Sequence, residues 1–269
     1  LCKIDLFYGL SMILSILYFD YLNKLDIANI FTVLMFSYFV SFVIFFPSYK
    51  EIDFNTSHFI NTFKENWIIS KWLLLTSITQ WFAANLWVVN TGIILGPYYL
   101  GIVRACQTIL NVFNVLFQTI ENIYPIKISE EFNKNGKISM YKYIQKINLF
   151  GFILVFLLSL ILSSLSKFLL LLFFSNEISS NYYLLVFLSF LLPLTFLQYF
   201  PQHALRTISK TFPIFVAYSC SSLFAIIFSR MIILKFNMYG FIFGLFASQI
   251  IILLIIYFYY FKELAKTKL

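Results

Sequence analysis

The chain has 269 residues, of which 61% are hydrophobic, 21% aromatic and 11% charged. Soluble globular domains carry about 25% charged and about 45–50% apolar residues, so the composition excludes an ordinary soluble fold. Nineteen Lys and Arg against eleven Asp and Glu leave a net charge of +8, which in so apolar a chain belongs to cytoplasmic membrane loops before it belongs to nucleic acid. Cys2, Cys106 and Cys220 are far apart, and His58 and His203 have no ligand-spaced neighbour. Neither a disulfide framework nor a zinc site is supported, and no cofactor or metal is expected.

A helix crossing hydrocarbon needs about 20 mainly apolar residues, because only its own backbone is there to bond with. Eight stretches qualify in chain order: 6–19, 27–46, 72–93, 98–120, 147–165, 183–200, 212–233 and 239–261. The predicted fold is all-α, a polytopic membrane protein of about eight transmembrane helices. Lys and Arg alternate with the spans. With the N-terminus inside, the cytoplasmic segments hold Lys3, then Lys50, Lys64 and Lys71, then Lys127, Lys134, Lys137, Lys142 and Lys146, then Arg206 and Lys210, then Lys262, Lys266 and Lys268. Only Lys24, Lys167 and Lys235 fall outside, so both termini are expected in the cytoplasm. The outer connections are short, and the cytoplasmic loops 48–70 and 127–146 are too small to fold alone. The apolar 168–174 either extends the fifth helix or lies in the interface. No cleavage site follows the first span, so a signal peptide is not expected. The chain reads as the C-terminal part of something longer.

The fourth span carries a polar stripe. Arg104, Gln107, Asn111, Asn114, Gln118 and Glu121 follow one another at steps of three and four, which confines them to an arc of about 100° over about 25 Å of helix. Two readings stand. An intramembrane Arg is costly and generally faces a partner or water, so a stripe of one cation and four amides fits the wall of a water-filled cavity. Alternatively the amides join helices together and Arg104 snorkels to the outer interface. Glu121, at the inner end, is a candidate for proton or cation coupling, or is simply solvated there. On the sixth span Thr195, Gln198, Gln202 and Arg206 share a face, whose inner half either lines the same cavity or sits in the interface. On the third, Ser77, Gln80, Ala84, Trp87 and Thr91 form a small, semi-polar face suited to close packing or to a cavity wall. Pro193 predicts a kink in the sixth span. Gly240, Gly244 and Ser248 form a small-residue ridge on the eighth that predicts tight packing.

The run 66–125 resembles the start of the C-terminal lobe of polysaccharide (O-antigen) flippases in the multidrug/oligosaccharidyl-lipid/polysaccharide exporter superfamily. The resemblance lies in LGPYYLG at 95–101 followed by Arg104 and Ala105, then QTIENIYP at 118–125. LLLLFFSNE at 169–177, ALRTISK at 204–210 and GFIFGLFASQ at 240–249 continue it in order. It implies helices five to twelve of a twelve-helix, two-lobe fold: the last two helices of the first lobe in 1–47, an inter-lobe linker at 48–70, and the six-helix C-terminal lobe in 71–269. It further implies a flippase that carries undecaprenyl-pyrophosphate-linked oligosaccharide across the inner (plasma) membrane by alternating access. Arg104 would then meet the pyrophosphate or an acidic sugar, and Gln107, Asn111, Asn114, Gln118 and Gln198 the sugar. The implied partners are the lipid-linked oligosaccharide, membrane lipid, a polysaccharide polymerase and a chain-length regulator, without nucleic acid.

Rival functions make different demands. A drug or cation antiporter of the same superfamily needs an acidic cavity, and the mid-membrane charge here is Arg104. A peptidoglycan-precursor flippase shares the architecture. A membrane-embedded glycan polymerase needs catalytic groups outside the hydrocarbon, and the outer loops offer no paired carboxylates, Gly-rich phosphate loop or Ser/His arrangement. The protein is therefore not expected to be an enzyme.

Overall fold

The computed structural model describes residues 2–22, 26–44 and 56–266. Residues 45–46 of the second expected span, 48–55 of the expected linker, and Lys24, Lys50 and Lys268 lie outside the described residues, as do the side chains of Lys3 and Asn114. All regular structure among the described residues is helical, in the order α1 (Cys2–Tyr21), α2 (Ile27–Ile44), α3 (Thr56–Leu95), α4 (Pro97–Phe173), α5 (Asn176–Ser179), α6 (Tyr182–Ser189), α7 (Leu191–Thr207) and α8 (Phe212–Ala265). Among the described residues, five helical stretches are long and apolar enough to cross a membrane: Ile27–Ile44, Ser70–Leu95, Phe117–Phe173, Tyr182–Thr207 and Phe212–Ala265. Their outer faces carry Leu172, Ile226, Ile227 and Leu234, each more than half exposed, a surface that suits lipid rather than water.

The chain divides into two units, 1–62 and 63–269. In the first, α2 buries Val33, Ser37 and Ser41, one per helical turn, and Tyr38 stacks on Tyr8 of α1 with ring centroids 4.0 Å apart.

In the second unit two of the long helices fold back on themselves. In a straight helix, residues 27 apart are separated by about 40 Å. Yet the Ser221 hydroxyl donates to the Ser248 carbonyl at 3.2 Å, so α8 is a hairpin. Its bend is Asn237, at φ 51° and ψ −130°. In the same way α4 reverses at Gly136, at φ 77° and ψ −178°. The Ser139 hydroxyl there reaches across the bend to the Glu131 carboxylate, which also accepts from the Asn135 amide at 2.8 Å. Beyond the bend the two arms of α4 enclose an apolar cavity of about 580 Å³ between Ile109, Val112 and Phe113 on one side and Leu158, Leu162 and Leu165 on the other.

The segments expected as cytoplasmic loops are therefore largely helical. No glycine or proline interrupts 56–91, so α3 runs for 40 residues, about 60 Å and roughly twice the hydrocarbon thickness. Residues 127–146 form the two ends of the α4 hairpin, and 168–173 continue its second arm.

The interruption in the sixth apolar stretch lies at Phe190, between α6 and α7. Pro193, three residues on, has no N–H to give the Ser189 carbonyl, and its ring crowds that carbonyl. Pro201 likewise deprives the Leu197 carbonyl of its helical partner, and here the loss is repaired from outside. The Tyr257 hydroxyl donates to Leu197 at 3.2 Å and accepts from the Asn148 amide at 2.8 Å, tying α7 to α8 and to the second arm of α4.

The α6–α7 pair packs against both α4 and α8, and the core between them holds Trp87, Ile102, Leu184, Phe196, Phe200, Phe241 and Tyr260. The small-residue ridge of α8 sits in this core. A Cβ on Gly240 would come within 2.4 Å of the Ile232 carbonyl on the opposing arm, and one on Gly244 within 2.1 Å of the Trp87 ring.

The two bends yield opposite expectations. The conformation of Gly136 belongs almost solely to glycine, so Gly136→Val should cost about 1–3 kcal/mol. Asn237, at φ 51° and ψ −130°, holds a conformation that glycine adopts without a Cβ penalty, so Asn237→Gly should leave stability unchanged or raise it. Thermal unfolding in detergent checks both.

Candidate functional site

At mid-height in the second unit, α3, α4, α6, α7 and both arms of α8 surround an open cavity of about 460 Å³. Gln80 and Ala84 come from α3, Arg104, Gln107 and Asn111 from α4, Thr195 and Gln198 from α7, and Tyr218, Ser221, Ser248 and Gln249 from α8. Three polar faces separately legible in the sequence thus meet in one space.

The wall has a definite construction. Trp87 is fully buried and donates its indole N–H to the Ser248 hydroxyl at 2.9 Å, while the Ser248 carbonyl accepts from Ser221. Gln249 donates to the Thr195 hydroxyl at 3.2 Å, joining α8 to α7. On α3 the Asn90 amide donates to Ser229 at 2.6 Å, which fixes α3 against the first arm of α8. These bonds satisfy the groups that hold the helices together.

Two groups on the cavity are arranged differently. Arg104 is exposed, and its guanidinium donates to Gln107 of its own helix at 3.0 Å, which joins no helix to another. A guanidinium has five N–H donors in a planar fork, and none bridges to another helix among the described residues. Gln198 is 5% exposed, yet its Oε1 has no donor among the described residues. A buried carbonyl oxygen without a partner costs about 1–3 kcal/mol, and Gln198 Oε1 is one of six such buried side-chain atoms among the described residues and the one that belongs to a residue lining this cavity.

Of the remaining stripe residues, the two whose side chains are described, Gln118 and Glu121, do not line this cavity. Gln118 is exposed and stands off it. Glu121, also off the cavity, lies near enough to Arg206 of α7 for their charges to interact. Between the two groups, Phe117 stacks on Tyr199 with centroids 5.6 Å apart and lies against Phe196, so α4 and α7 close on each other below Asn111. That apolar contact separates Gln118 and Glu121 from the space that Arg104, Gln107 and Asn111 line, although the stripe was expected to run through most of the membrane. Tyr218, Ser248 and Gln249 line the cavity as well; for Gln249 the only signal was its place after the small-residue ridge. No group of three or more metal-ligating side chains occurs among the described residues.

Thiol chemistry distinguishes a wet cavity from helix-joining amides. In a variant with Cys2, Cys106 and Cys220 replaced, Asn111→Cys and Gln249→Cys should react with a water-soluble thiol reagent in membranes, while Ile226→Cys on the apolar outer face should not. Equal protection of all three would exclude a water-filled site. Gln198→Leu should keep or raise the unfolding temperature, because it removes an orphaned acceptor without emptying space.

No protein-family model matches the chain, and no curated protein or solved structure matches it either.

Proposed function

We propose that the chain is part of a flippase that carries an undecaprenyl-pyrophosphate-linked oligosaccharide, such as an O-antigen or capsule repeat unit, across the inner membrane by alternating access. The observation that carries this reading is the composition of the cavity: one arginine, a set of amides and hydroxyls, and no carboxylate among its lining residues. A pyrophosphate-linked sugar needs a cation that can fork onto phosphate oxygens and amides that exchange hydrogen bonds with hydroxyls. Arg104 takes the first role; Gln107, Asn111 and Gln198 take the second, the Gln198 oxygen accepting from a sugar hydroxyl. An amphipathic cation, the cargo of a drug antiporter, would meet a positive charge and no counter-charge.

The architecture belongs to the same proposal. With each arm of the α4 and α8 hairpins counted as a crossing, and α6–α7 as one, the chain crosses the membrane eight times, as two helices followed by a six-helix lobe. Lys210, Lys262 and Lys266 share one end of the second unit. Lys137 at the α4 bend is close enough to act on Glu263 there. This gathering of cations supports a cytoplasmic placement of that end and of both termini. A polysaccharide polymerase and a chain-length regulator are the proposed functional partners, and Glu121 beside Arg206 is the proposed coupling site.

The test is surface-polysaccharide display in a flippase-deficient strain that makes the matching oligosaccharide, supplied with the protein in full-length form. Arg104→Ala should lower display at least about tenfold, the loss of one charge-assisted hydrogen bond, and Arg104→Lys should restore part of it. Normal display from a well-expressed Arg104→Ala variant would defeat the assignment.

A further inference from the structure

A second cavity, about 610 Å³ in volume, opens at the cation-bearing end of the second unit. Trp72 of α3, the turn residues 209–211, Phe212 and Pro213 at the start of α8, and Tyr259, Lys262, Glu263 and Lys266 near its end line it. It shares no lining residue with the polar cavity at mid-height.

One edge of it is fixed by backbone hydrogen bonds. The amide of Ser209 donates to the Arg206 carbonyl at 2.9 Å and that of Lys210 to the Leu205 carbonyl at 2.8 Å, with Ser209 at φ 58°. This pair of bonds is a Schellman motif, which ends α7 rigidly and sets Lys210 at the cavity edge. Across the space, Lys266 pairs with Glu263 at 2.7 Å, and Lys262 comes from the last turn of α8. Three lysines against one glutamate leave an excess of two positive charges. The other wall is aromatic: Trp72 meets Phe212 edge-on at 4.7 Å, and the Lys71 ammonium lies 5.6 Å from the Trp72 ring centre. Trp and Lys side by side, next to the apolar outward faces of Leu74 and Leu75, are the furnishings of a membrane–water boundary.

We infer that this cavity is a binding site for the headgroup of an anionic phospholipid, with the phosphate between Lys210 and Lys262 and the lipid's glycerol end against Trp72 and Phe212. A free phosphate would use the lysines but not the aromatic wall; a zwitterionic lipid would use the wall but bring its own cation to a site that is already positive. The inference is independent of the cargo proposed above.

The test uses the purified chain in neutral detergent, with binding of short-chain phosphatidylglycerol measured by native mass spectrometry and by the shift in unfolding temperature. Phosphatidylcholine of the same chain length and inorganic phosphate serve as comparison ligands. Phosphatidylglycerol should bind, and Lys210→Gln with Lys262→Gln should weaken it about fivefold per lysine, about 30-fold for the pair. Lys146→Gln, an equal loss of charge outside the cavity, should leave binding unchanged, and the double Lys→Arg variant should retain it. The inference is overturned if the double Gln variant binds as tightly as the parent, if Lys146→Gln weakens binding as much, or if phosphatidylcholine binds equally well. Inorganic phosphate competing at equal concentration would make it a site for the free anion, which also overturns it.

Discussion

Trp87 reaches from α3 to α8, lays its ring on the bare backbone at Gly244 and gives its indole proton to Ser248. In an apolar surround, the driving force for joining helices is close packing together with satisfied polar groups, since apolar side chains gain little by leaving lipid for one another. This contact supplies both at once. It also borders the polar cavity: Ser248, which accepts the indole proton, and Ala84, one turn before Trp87 on α3, both line that space.

The same economy governs the backbone. Every carbonyl in an apolar environment needs a partner, so each break in helical bonding must be repaired nearby. Gly136 and Asn237 place theirs at polar bends, where the chain reverses within a residue. Pro201 breaks the ladder in the packed interior, and the chain answers with Tyr257 and Asn148 from two other elements. The break at Phe190 leaves α6 and α7 as separate rods facing the same cavity, with Leu188 on one side of it and Thr195 and Gln198 on the other. Interruptions and site are thus neighbours, and the helix carrying Gln198 is the one whose backbone is least continuous.

Several serines and threonines return their hydrogen bonds to their own helix, as Thr76, Thr91 and Ser189 do. Around the cavity, Trp87, Ser221 and Gln249 spend theirs between helices and make the wall stiff. Arg104 and the Gln198 oxygen are held on that stiff wall without being consumed by it. A rigid frame carrying unspent donors and acceptors is what a binding site requires.

The helical character, the apolar segments and the faces holding Arg104, Gln107, Asn111 and Gln198 were legible in the sequence, because periodicity and residue type are local properties of the chain. A connection within 127–146 was legible too, but not that it is two helix ends meeting at a single bend at Gly136. The bend at Asn237 was legible as the gap between the expected spans 212–233 and 239–261, although nothing in the sequence singled out asparagine as the residue with the positive φ. What only the tertiary structure decided is which polar residues share a space. The stripe on α4 is continuous along the helix, but Phe117, Phe196 and Tyr199 close the helices on each other and cut it in two, leaving Gln118 and Glu121 elsewhere. The lysine-lined cavity exists only because the α7–α8 connection, the end of α8 and Trp72 in the middle of α3 converge. A sequence specifies the face a side chain occupies through the helical repeat; whether that face meets a partner, a cavity or lipid depends on contacts between segments far apart in the chain.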